Sequence, residues 1–330
     1  EVAEAALKRM AAPAAFDTEM FLNKQAQLIA LRLDDDCPVL NTPLKQLTDL
    51  FSTLRTLVVA IRRQGTLFAP ESGDQLFSGD ECYLMCHVDD SQRSVEVFGK
   101  PNLEQNRIVL IGGGNVGQRV AYQLEKYKKR ISAKIIEKNI KIAEAAAENL
   151  ERTIVLNGDG LDVNILSEAN VSRADTVLAI TDDDKTNMLA AVRAKAQGCK
   201  MAIVLINDPT LVPLMQPLGI DAYINPRATT VSSILRHIRH GRVKGVYAIG
   251  DAEAEILEAE VLSTSPIAGQ KIRDIEFPES VLIGGLLKNG EFIKPSGGTL
   301  IEEGDTIALF TMAEDIPEVE RLLQVSIDFF

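Results

Sequence analysis

The stretch Arg107-Ile-Val-Leu-Ile-Gly112-Gly-Gly114-Asn-Val-Gly117-Gln-Arg-Val-Ala121 decides how the middle of the chain folds. An apolar strand runs straight into a G-x-G-x-x-G turn, and the turn opens a helix. Gly112 permits the tight bend, Gly114 lets the backbone approach a pyrophosphate, and Gly117 lets the helix lie close on the strand. Phosphate oxygens would rest against the free N–H groups at the helix N-terminus. The glycine triplet alone is a weak signal. It is strengthened by Glu137, twenty residues past Gly117 at the end of the next predicted strand, where a carboxylate accepts hydrogen bonds from ribose hydroxyls. That charge favours NAD over NADP because it repels a 2′-phosphate, and the neighbouring Lys138 weakens the exclusion slightly. The bland alternative is a Rossmann-like domain that keeps the turn without the ligand.

Working outward, apolar runs at Ile108–Ile111, Ala133–Ile136, Thr153–Leu156, Thr176–Ile180, Ala202–Ile206 and Ala222–Ile224 alternate with helical stretches such as Ile140–Leu150 and Asn187–Gln197. Strands separated by helices predict a parallel sheet covered on both faces. Ligands of such sheets bind beyond the carboxyl ends of the strands. This draws attention to Gly158-Asp159-Gly160, Thr181-Asp182-Asp183 with Asn187, and Asn207-Asp208. Each of these also reads as turn or N-cap chemistry.

On either side of this α/β segment the sequence repeats itself. Pro38-Val39 faces Pro266-Ile267 at an offset of 228; Gly65 to Gly73 then faces Gly290 to Gly298, and Gly79-Asp80 faces Gly304-Asp305, at an offset of 225. Each Gly-Asp turn leads into an alternating strand. Two copies of a small β-rich module follow, near 24–92 and 252–325. Val231, Ile234, Leu235 and Ile238 recur at helical spacing and match Ala3, Ala6, Leu7 and Met10 at the 228 offset. The organisation expected is a tail helix of a truncated α/β domain at 1–16, a β-rich lobe at 22–95, a linker at 96–106, the Rossmann domain at 107–228, a crossover helix and connection at 229–250, and a second β-rich lobe at 251–330. The chain start and the gene start are expected to differ.

Composition narrows the function. With 35 Lys and Arg against 47 Asp and Glu, the net charge is −12, which argues against nucleic acid as a partner. No apolar run is long enough to cross a bilayer. Four cysteines make no disulfide framework and point to a reducing compartment, the cytoplasm. The Cys82-x-x-x-Cys86-His87 run is better read as sheltered thiols than as a metal site. Of the three His residues, His87 ends a duplicated strand and His237 and His240 fall on or beyond the tail helix of the α/β segment, and no Y-x-x-x-K or G-x-S-x-G motif occurs, so no catalytic residue is assigned.

Taken together, Gly112-x-Gly114-x-x-Gly117 with Glu137, Gly158-Asp159, Thr181-x-Asp183-x-x-x-Asn187, the segment after Asn225-Pro226, the paired Gly-Asp turns and the ending Val319 to Gln324 before Phe329-Phe330 resemble the cytosolic regulatory proteins of Trk potassium uptake systems, built from KTN (RCK) domains. The resemblance implies a Rossmann-type RCK N-lobe flanked by two α+β RCK C-lobes. It implies contacts to NAD or NADH, with ADP or ATP as further occupants of the same site, from Gly112, Gly113, Gly114, Asn115, Val116, Gly117, Glu137, Asp159, Thr181, Asp182 and Asn207. It also implies a non-catalytic peripheral subunit, without direct membrane insertion, that gates a membrane potassium channel subunit. Members often place an arginine near the end of strand five. Asn207 and Asp208 stand there instead, which puts a tight grip on a terminal phosphate in doubt. The competing readings are an NAD-dependent oxidoreductase and a nucleotide-sensing module of a potassium efflux system. The apolar stripe at Val231, Ile234, Leu235 and Ile238 predicts self-association, most simply as a two-fold dimer.

Overall fold

The computed structural model describes residues 2–11, 15–100, 106–127, 130–215, 217–226, 243–250 and 252–323. The chain divides into two compact units, Glu1–Phe16 with Leu103–Thr230, and Asp17–Asn102 with Val231–Phe330. Helix α1 (Val2–Ala11) comes first. The first lobe then runs through β1 (Asp17–Phe21), β2 (Ala26–Arg32), α2 (Leu44–Leu50), β3 (Thr56–Arg63), β4 (Thr66–Phe68), β5 (Glu81–His87) and α3 (Ser91–Val97). The α/β segment follows with β6 (Arg107–Ile111), α4 (Asn115–Tyr127), β7 (Ser132–Glu137), α5 (Ile140–Asn149), β8 (Ile154–Asn157), α6 (Val163–Glu168), β9 (Thr176–Ala179), α7 (Asp184–Ala196), β10 (Met201–Leu205) and β11 (Ala222–Ile224). The second lobe contains β12 (Val243–Ile249), β13 (Ala254–Glu260), β14 (Leu282–Lys288), β15 (Glu291–Ile293), β16 (Thr306–Met312) and α8 (Ile316–Leu323).

The α/β sheet has the strand order β11-β10-β9-β6-β7-β8 and is parallel throughout. The two-residue period of its strands separates two cores. Ile108 and Leu110 join Ile135, Leu178 and Ile203 on the face covered by α4 and α1, while Val109 and Ile111 join Ile136, Val177 and Val204 on the face covered by α6 and α7. Each fully buried Leu, Ile or Val contributes about 1.5–3 kcal/mol. Helix α1 contributes Ala3, Ala6 and Met10 to the first of these cores, so the amphipathic start of the chain finds its cover on this sheet.

The two lobes share one topology, β1-β2-β5-β3-β4 and β12-β13-β16-β14-β15, as the sequence repeat requires. Gly79 and Gly304 take φ of +84° and +85°, and Asp80 and Asp305 each accept a backbone N–H three residues back, from Phe77 at 2.9 Å and Glu302 at 2.8 Å. The repeat extends to irregularities. Strands β3 and β14 carry bulges at the matching residues Val59 and Gly284. These bulges meet, because a Cβ placed on Gly284 would stand 2.8 Å from Val59 Cγ1. Gln25 adds polar ties between the lobes, donating to Gly290 O at 2.5 Å and accepting from Phe292 N–H at 3.1 Å. Glu258 accepts the Leu22 N–H at 2.8 Å. That bond steadies a turn in which Leu22, Asn23 and Lys24 all have positive φ.

Three boundaries differ from those expected. The first lobe begins at Asp17 rather than 22 and extends through α3 to Val97 rather than 95, and β12 occupies part of the 229–250 span assigned to a crossover helix and connection. Both missed strands lie at sheet edges and take their conformation from pairing, Asp17 with Ala30 and Gly245 with Glu258. The stripe of Val231, Ile234, Leu235 and Ile238, His237, His240 and the ending beyond Leu323 lie outside the described residues. No helix among the described residues is long and apolar enough to cross a membrane.

Candidate functional site

Placing β6 beside β9 creates a reversal of connection direction at the carboxyl edge of the sheet, where α/β folds open a crevice. The Gly112 turn forms one wall and the Ile180-Thr181 loop the other. The four glycines of the turn do different work. Gly112 has φ of +113°, and a Cβ there would stand 2.9 Å from Ile180 O and 3.0 Å from Thr181 N. A Cβ on Gly113 would stand 2.9 Å from Glu137 Cβ, and one on Gly117 would fall 2.0 Å from Gly112 O. Gly114 is the exception, because a Cβ there would meet nothing within 4 Å. Three glycines are required by packing, and the fourth keeps a space open at the N-terminus of α4.

Glu137 ends β7 with both carboxylate oxygens engaged. Oε2 accepts the Gly113 N–H at 2.6 Å and Oε1 the Asn139 N–H at 2.7 Å. Such charge-assisted bonds fix the side chain in one orientation beside the glycine turn. The N-cap of α5, Asn139, accepts in turn from Lys141 N–H at 3.0 Å. Gln118, one turn into α4, donates through Nε2 to Gly113 O at 2.8 Å. Neither Asn139 nor Gln118 was singled out from the sequence. Asn139 had a signal there, an N-cap residue just before a helix, whereas Gln118 had none.

After β8, Asp159 accepts from Lys138 Nζ at 2.8 Å and from Leu161 N–H at 2.9 Å. After β9, Thr181 donates both its N–H and its hydroxyl to Asn187 Oδ1, at 2.8 and 2.7 Å. Asn187 is fully buried and also donates to Leu205 O at 2.9 Å, so it ties the ends of β9 and β10 together and acts as a structural tie. Asp183 caps α7 through the Thr186 N–H at 3.0 Å. Asn207 is held by Asp184, which accepts its side chain at 3.0 Å and its N–H at 2.9 Å. Asp182 and Asn115 are exposed, and Val116 is half-buried in the first turn of α4.

The edge therefore gathers the Gly112–Gly117 turn, Glu137 and Thr181 closely, with Asp159 on the β8 side and Asn207 on the β10 side. Carboxylates dominate it: Glu137, Asp159, Asp182, Asp183, Asp184 and Asp208 outnumber the cations beside them, Lys138 and Arg193 near Asp159 and Lys185 near Asp183. Such a rim suits hydroxyl groups, and a diphosphate seated on backbone N–H groups. It offers little to a highly charged terminal phosphate.

The chain matches the TrkA-N domain family over residues 108–226 and the TrkA-C domain family over residues 256–324. It is 41% identical over 330 residues to a Trk system potassium uptake protein TrkA of Azorhizobium caulinodans, covering 100% of this chain and 72% of that one. It is 32% identical over 321 residues to the Trk system potassium uptake protein TrkA of Vibrio alginolyticus, covering 95% and 69%. Among solved structures it resembles the GsuK RCK domain with a TM-score of 0.53 at 15% identity, over 98% of this chain and 70% of that one. It also resembles the GsuK channel bound to NAD, with a TM-score of 0.52 at 15% identity, over 98% and 58%. The two structural likenesses bear on the fold alone.

Proposed function

Because this chain belongs to the family of Trk system potassium uptake proteins TrkA, we propose that it is a peripheral regulatory subunit that binds NAD or NADH at the carboxyl edge of its Rossmann sheet and gates a membrane potassium channel subunit from the cytoplasmic side. The observation that carries the binding half of this reading is the open space at Gly114 beside a Glu137 already oriented by Gly113 and Asn139. Pyrophosphate would sit on the N–H groups of Asn115 and Val116 with its backbone approach at Gly114, while the Gly113 N–H stays with Glu137 Oε2, and the adenosine ribose would meet Glu137. Thr181, Asp182 and Asn207 line the far side, toward the nicotinamide. Adenine nucleotides can share the adenosine half of the site.

The gating half follows from linkage. A ligand moves the channel subunit only by the difference in its affinity for two arrangements of the assembly. The chemistry proposed is binding rather than hydride transfer, and sustained, chain-dependent NADH oxidation with a simple carbonyl substrate would refute it. Pairing of two chains through the stripe at Val231 to Ile238 is the proposed route to that assembly.

Calorimetric titration with NAD, NADH, ADP and ATP tests the binding reading, with saturable one-site binding of NAD or NADH as the expected result. Potassium flux through the membrane subunit, reconstituted with and without this chain and the bound nucleotide, tests the gating reading. Nucleotide-independent flux would refute it.

A further inference from the structure

The loops that follow β7 and β8 are stitched into one surface. Asn157 donates through Nδ2 to the carbonyls of Glu137 at 2.9 Å and Lys138 at 3.2 Å, and the Gly158 N–H donates to Glu137 O at 2.9 Å. On that surface Glu137, Lys138 and Asp159 alternate in sign. Lys138 directly follows the carboxylate assigned to the ribose. A cation in that neighbourhood is the device by which dinucleotide-binding folds accept a 2′-phosphate. A free Lys138 would therefore blur the choice that Glu137 makes.

Lys138 is engaged elsewhere. Its Nζ lies 2.8 Å from Asp159 Oδ2, while the Leu161 N–H holds Asp159 Oδ1 at 2.9 Å, so the acceptor is itself fixed to the backbone. The pairing shows on both partners: Lys138 and the Leu161 N–H hold the Asp159 carboxyl below its usual range, and Asp159 raises the Lys138 amine. The two side chains are 78% and 40% exposed, and a pair this exposed adds little to folding. Its effect is local, on where the cation next to Glu137 is spent; Arg193, which also faces Asp159, is held by its own bond to Leu161 O at 2.5 Å.

We infer that Asp159 is a positioning residue for nucleotide choice: it holds Lys138 away from the ribose, so that the site takes a dinucleotide with a free 2′-hydroxyl and rejects one with a 2′-phosphate. The inference rests on the reading of this edge as a dinucleotide site. It assigns the rejection of NADP to two residues, Glu137 by repulsion and Asp159 through Lys138.

The test is calorimetric titration of the full chain with NAD and with NADP at low salt, for wild type, Asp159→Asn, Lys138→Met and the double variant. The readout is the NADP-to-NAD affinity ratio, which a purely structural role would leave unmoved. Asp159→Asn is expected to shift the ratio toward NADP by about tenfold, the worth of one freed charge-assisted contact, and Lys138→Met in the same chain should abolish the shift. An unchanged ratio in Asp159→Asn, or a shift that persists without Lys138, overturns the inference and leaves NAD binding standing. A wild-type chain that binds neither dinucleotide overturns the site reading and this inference with it.

Discussion

Gly114 and Gly117 lie three residues apart in one motif, yet alanine at each should fail in a different way. At Gly117 the added carbon would stand 2.0 Å from Gly112 O, and that neighbour is backbone, which cannot rotate aside. An ordinary contact needs about 1.4 Å more, so α4 must move off β6, where Val120, Ala121 and Leu124 are packed against Ile108 and Leu110. Overpacking of this kind costs about 1–3 kcal/mol and more when backbone is the obstacle, so Gly117→Ala should lose about 3 kcal/mol. At Gly114, the N-cap of α4, whose carbonyl accepts the Gln118 N–H, the same carbon meets nothing, so alanine costs only the difference between glycine and alanine at an N-cap, about 1 kcal/mol or less. In the proposed site the space it fills is the one the pyrophosphate would take, so NAD affinity should fall by about tenfold or more while the urea midpoint moves far less than in Gly117→Ala. Urea unfolding and NAD titration of both variants separate the two roles. The reasoning is refuted by a Gly114→Ala chain that binds NAD like wild type, or by a Gly117→Ala chain as stable as wild type.

Other substitutions test other parts of the structure. Glu137→Gln should weaken NAD by about 1–3 kcal/mol, because a neutral amide loses a charge-assisted bond and turns a donor toward Gly113 or Asn139; wild type that binds NAD and NADP equally would also contradict the role of Glu137. Asp175 is buried and accepts from the Arg107 N–H at 2.9 Å and Lys200 Nζ at 2.8 Å. Burial raises its pKa, but hydrogen bonds from Lys200, Arg107 and Asn106 outweigh this and hold it well below the carboxylate range. Its stabilisation is therefore complete above about pH 4 and fades as pH falls below that value, so Asp175→Asn should cost about 2–3 kcal/mol at pH 7 and flatten the acid side of the stability curve. Gly284→Val should destabilise the lobe pair by about 1–3 kcal/mol in chemical denaturation, and Val59→Gly in the same chain should recover part of the loss.

What the sequence discloses is what is local or repeated. The glycine turn, Glu137 and the strands beside it are written in consecutive residues, and the lobes announce themselves through Gly79-Asp80 and Gly304-Asp305. The edge strand β1, Asp-Thr-Glu-Met-Phe, carries no clear alternation and becomes a strand only because Ala26–Arg32 lies beside it. Candidate site residues behaved likewise. The position of Glu137 could be read from spacing, but its clamp by Gly113 and Asn139 is a property of the folded turn. Asn187 has the composition of a ligand contact, and only its burial and its bond to Leu205 reveal a tie between strands. The destination of α1 was equally hidden, since an apolar stripe states that a helix needs cover and not which sheet supplies it.

The meeting of Val59 and Gly284 joins two modules carried on one polypeptide. Partners that are separate molecules come apart on dilution, whereas partners on one chain see each other at an effective concentration fixed by their connection. The contact between the lobes is thus indifferent to how much of the protein a cell makes. It also tolerates divergence: one side can keep a valine and the other shrink to glycine, a fit that two identical subunits related by exact symmetry could not adopt, because each change would strike both sides at once. Any association that responds to protein level must be built on other surfaces.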